Sequence, residues 1–101
     1  MTTNDLLCAA VSHLQRAANL AEQDGIDGGA LAGQIRLATA TIPATGPLPD
    51  IGPVIGDPVR CLELALDYLD AIDPLDGPPD LPLTAWHVHE LHRLASTAGA
   101  R

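Results

Sequence analysis

The sequence predicts an all-α protein, a small four-helix bundle with a Pro/Gly-rich crossover between its second and third helices. Three observations carry that reading. Four stretches space their apolar residues three and four apart, as one helix face does, and none alternates with the period of a strand. The length of 101 residues suits a single helical domain spanning 1–101, because area scaling buries roughly 64% of the unfolded surface at this size. Aromatics are 2% of a chain that is 47% hydrophobic, with Tyr68 and Trp86 but no Phe. The core is therefore expected to be aliphatic, built from Leu, Ile, Val and much Ala.

The first helix is read over about 3–23. Leu7, Val11, Leu14, Ala18 and Ala21 repeat along one face, and Leu6, Ala10, Ala17 and Leu20 widen it to an arc of about 180°, enough to touch two neighbours. Asp24 and Gly25 are read as its end, Gly supplying a left-handed cap. The second helix, about 29–42, takes Asp27 as N-cap and Leu31, Ile35, Ala38 and Ile42 as its buried side, with Pro43 as its stop. Gly28, Gly29 and Gly33 weaken it, and Gly33 is read as a point of close helix approach.

Residues 43–56, PATGPLPDIGPVIG, hold too many Pro and Gly for regular structure, yet keep Leu48, Ile51, Val54 and Ile55. They are expected to form an ordered strap across the helices, with room for a short helical turn. The third helix, about 58–72, starts at the Asp57 cap with Pro58 in its first position. Its seam is Leu62, Ala65, Leu69 and Ile72, widened by Cys61, Leu66 and Tyr68 to suggest a central helix. The loop DPLDGPPDLP leads to a fourth helix, about 85–98, capped by Thr84, with Val88, Leu91, Ala95 and Ala98 as its seam and Leu94 beside it. The closing residues are expected to fray.

Charge excludes partners more firmly than it selects them. Thirteen acids face five Arg and no Lys, for a formal net charge of −8. Without a basic stripe the chain is not expected to bind nucleic acid directly, nor an anionic membrane. The N-terminus lacks the basic start and long apolar run of a signal peptide, and no stretch approaches the ~18 apolar residues of a membrane span. Cys8 and Cys61 form no CxxC pair, so two buried reduced thiols and a cytoplasmic location are expected.

Three constellations could carry chemistry. Glu63, Asp67 and Asp70 share one face of the third helix, at a cost in like-charge repulsion and against the helix dipole, which invites a basic protein or a cation. WHVHELHR holds three His, of which His89 and His92 project about 60° apart and could supply two metal ligands from one helix. The His89-Glu90 opening is not HExxH, since position 93 is Arg. Trp86 projects to the polar side with Glu90 and Arg93, to be covered by the crossover or by another chain. Catalysis finds little support, because Ser12 and His13 are neighbours whose side chains diverge, and no Gly-rich phosphate loop follows a strand.

The expected function is a small acidic protein-interaction module without catalytic activity or cofactor. It would form a homodimer and meet a protein partner, a basic one suiting it, through Glu63, Asp67, Asp70, Trp86 and Arg93. Two alternatives are a metal-binding protein using His89 and His92, and an acidic decoy of a nucleic-acid-binding partner.

Overall fold

The computed structural model describes residues 2–23, 26–50, 52 and 57–99. Four helices follow one another, α1 (Thr3–Glu22), α2 (Ile26–Ala40), α3 (Pro58–Asp70) and α4 (Leu81–Gly99), and no strand occurs among the described residues. The predicted fold class holds. The notions about Asp24, Gly25, the frayed end, and Ile51, Val54 and Ile55 fall outside the described residues.

α1 starts at a reciprocal cap. Thr2 Oγ1 accepts from the Asp5 backbone N–H at 3.1 Å, and Asp5 Oδ2 accepts from the Thr2 N–H at 3.0 Å. The same geometry holds the Asp5 carboxyl below its ordinary pKa, chiefly through the Thr2 backbone bond. α3 starts as predicted, with Asp57 Oδ1 accepting from Val59 N–H at 2.9 Å and Pro58 in the first position.

Two starts differ from the sequence reading. α2 begins at Ile26, not near 29, so Asp27 lies inside the helix and is no cap. α4 begins at Leu81, one turn before 85, and the amide of Thr84 already bonds to the carbonyl of Asp80 at 3.0 Å. Pro82 sits in the first turn, where a missing N–H costs nothing. Thr84 is consequently buried inside the helix, its hydroxyl 3.2 Å from that of Thr41. α2 and α3 also stop two residues early, at Ala40 and Asp70. Beyond α2 the chain tightens to three-residue bonds, Thr41 N–H to Ala38 and Ile42 N–H to Thr39.

Packing follows the apolar faces. α1 contacts α2 and α3, and α4 contacts α3 and α2, so the helices stand at four corners with α1 diagonal to α4. One cluster joins Leu7, Val11, Leu14, Ala18 and Ala21 of α1, Ile35 and Ala38 of α2, Leu62, Ala65 and Leu69 of α3, and Val88, Leu91 and Ala95 of α4. Alanines at the helix contacts let the backbones approach closely. α3 is no more central than its neighbours; α1 is the helix covered on a third side.

That cover is the strap. Asn4 Nδ2 and Cys8 Sγ both donate to the Thr45 carbonyl, Ser12 Oγ donates to Pro49, and an Arg16 guanidinium N–H donates to Gly52 at 2.9 Å. The chain thus runs parallel to α1, past side chains four residues apart on the helix. It takes no helical turn at 43–50. Gly46 and Gly52 adopt φ of 90° and 81°, where a side chain would be strained.

Candidate functional site

The acids of α3 and the histidines of α4 prove to be one feature. α3 and α4 are antiparallel neighbours, and His92 Nε2 lies 3.3 Å from Glu63 Oε1 while His89 Nε2 lies 3.8 Å from Asp70 Oδ2. Arg60 adds a 2.9 Å bond to Glu63. The Glu63 carboxyl is held below its ordinary pKa first by Arg60 and then by His92. Each imidazole faces a different carboxylate, so the two rings do not converge with an acid on one point. Among the described residues no three His, Cys, Asp or Glu are placed to hold a metal ion.

The far side of α4 is apolar where a surface helix is ordinarily polar. Leu83, Trp86 and Leu94 are 66%, 60% and 51% exposed. The crossover does not cover Trp86, and Leu94 lies outside the seam that it was expected to widen. Glu90 and Arg93 stand among them, joined by a 2.8 Å ion pair that raises the Arg93 pKa through the Glu90 hydrogen bond. Leu37 on α2 is 61% exposed. It projects nearly opposite the fully buried Ile35 of the same helix. On α4 itself, Leu83, Trp86 and Leu94 share the outer side with the Glu90–Arg93 pair.

Two features escaped the sequence reading. His13 is buried at 6% exposure, stacked on Tyr68 with ring centroids 5.6 Å apart, and its Nδ1 has no hydrogen-bond partner. Burial, and then the Arg16 charge, push its pKa down. The signal was present, since His13 falls three after Ala10 and four before Ala17 on the buried face. Ser12 points instead to the strap. Burial pushes the Cys61 thiol up, which makes it a poor nucleophile.

The second feature is a pair of clefts on α1. One of about 420 Å³ opens between α1 and the strap, lined by Gln15, Asn19, Gln23, Leu20, Leu48 and Pro49, among others. Another of about 360 Å³ lies toward α2, shares Gln15 and Asn19, and is walled by Arg36, Thr39 and Ala40. Arg36 bonds to Glu22 at 2.7 Å and to Asn19 at 3.2 Å.

Compared with known protein families, with characterised proteins and with solved structures, the chain matches none. No helix among the described residues is long and apolar enough to cross a membrane.

Proposed function

We propose that the protein is a small, non-catalytic helical interaction module that pairs with a second copy of itself through the outer side of α4. The observation that carries this reading is the group Leu83, Trp86 and Leu94, three large apolar side chains each more than half exposed on one side of α4 in a 101-residue chain. Isolated exposed leucines need no explanation, but a contiguous patch on a small domain does. The occupant follows from charge. The whole chain carries −8, yet Glu90 and Arg93 are the only carboxylate and guanidinium side chains of α4 and pair with each other, so two copies meet here without stacking their acids. In a two-fold antiparallel arrangement of α4 helices, Arg93 of each copy reaches Glu90 of the other.

Self-pairing through α4 leaves Glu63, Asp67 and Asp70 of α3 free to engage a basic protein surface, the adaptor role that the acidity supports. Light scattering from micromolar to near-millimolar protein tests the pairing. The mass should rise from 10.5 kDa toward twice that value, and Leu83→Glu or Trp86→Glu should hold it at the monomer with helicity unchanged. A monomer mass throughout would overturn the reading.

A further inference from the structure

Three of the four side chains that hold the strap are followed eleven positions later by a carboxamide side chain. Asn4, Cys8 and Ser12 donate to strap carbonyls, and eleven residues after each stand Gln15, Asn19 and Gln23. Eleven residues make about three turns of helix, so the second set lies on nearly the same bearing, about 16.5 Å further along α1. The first set shows how this side of α1 grips a chain. Side-chain donors at four-residue spacing meet the Thr45, Pro49 and Gly52 carbonyls of a non-helical strap, in which Pro43, Pro47 and Pro49 have no N–H to satisfy.

The second set has the same means and a place to use it. Gln15 and Gln23 are exposed, and their side chains make no hydrogen bond among the described residues. Asn19 is engaged only by Arg36. Together these side chains line the 420 Å³ cleft, whose apolar wall of Leu20, Leu48 and Pro49 suits proline rings and aliphatic side chains. Asp50 and Arg16 both border it, so it selects for neither sign of charge.

We infer that this cleft is a binding site for an extended, proline-rich peptide segment, held as the strap is held, with Gln15, Asn19 and Gln23 donating to its backbone carbonyls. A preformed polyproline conformation reduces the ordering cost of such a ligand. The site is separate from the outer side of α4, and its test is independent of self-pairing.

The probe is a synthetic peptide of the strap sequence, residues 43–52, added to the ¹⁵N-labelled intact chain. The expected result is saturable movement of the Gln15, Asn19 and Gln23 side-chain amide signals by about 1 mM peptide. A peptide with its three prolines replaced by Gly should bind at least about tenfold more weakly. Gln15→Ala with Gln23→Ala should abolish the movement of the remaining Asn19 side-chain amide signal while circular dichroism stays unchanged, both substituted positions being exposed. Trp86→Glu should leave the movement of all three signals intact. No movement at several-fold higher peptide would overturn the inference. So would equal movement at Asn4 and Ser12, which would mean that the peptide only replaces the strap.

Discussion

His92 Nε2 sits 3.3 Å from Glu63 Oε1, a contact that joins α4 to α3 beside their shared core. Arg60 approaches the same carboxylate at 2.9 Å and is the larger cause of its lowered pKa. The order of the two effects is testable by carboxyl NMR titration. Arg60→Ala should move the Glu63 midpoint up further than His92→Ala does, and the reverse order would mean that the helix–helix contact dominates.

His13 should make the fold sensitive to mild acid. Its folded pKa is lowered by burial, so below the unfolded value near ~6.5 the unfolded chain binds the proton more readily. The stability that a neutral His13 contributes is full above that pH and declines as pH falls toward the folded pKa. His13→Phe keeps a ring against Tyr68 and removes both the titration and the unpartnered Nδ1. Urea unfolding at pH 7 and pH 5.5 should show a loss for the parent that is absent or clearly reduced in the variant.

Gly29 and Gly33 should be replaceable at a gain. A Cβ at either meets nothing within 4 Å, so Gly33 is not the close helix approach its sequence position suggested. Ala at each exposed position should stabilise by up to about 1 kcal/mol. Gly77 is the opposite case, because a Cβ there would lie 2.6 Å from Leu81 Cδ2, and Gly77→Ala should destabilise. Thermal melts of the three variants decide the matter.

The strap should govern the chemistry of Cys8 alone. Cys8 lies beneath it with its thiol 3.4 Å from the Thr45 carbonyl, and Asn4 fastens the same residue by bonds in both directions. Asn4→Ala should raise the labelling rate of Cys8 by a thiol reagent. Cys61, fully buried between helices, should stay unreactive in both proteins. Equal labelling of the two thiols would show that the strap does not protect Cys8.

The fold was legible because its signal is periodic. Leu7, Val11, Leu14, Leu62, Leu69 and Val88 all went where their spacing sent them. The start of α4 was not legible, because prolines at 78, 79 and 82 look like a loop until one sees that Pro82 falls in a first turn. The acid stripe and the histidines were each visible, but their union needed the antiparallel pairing of α3 and α4, a tertiary fact. His13 shares the spacing of Ala10 and Ala17 on the buried side of α1, but its stacking on Tyr68 of α3 is a tertiary fact as well.

Trp86 is the chain's single tryptophan, so its fluorescence reports the outer side of α4 and nothing else. At 60% exposure an unpaired chain should emit at the long wavelengths of a hydrated indole. Pairing should shift the emission to shorter wavelength as protein concentration rises through the micromolar range, and Leu83→Glu should abolish that shift. Emission that stays at the hydrated position at every concentration would contradict pairing through this side.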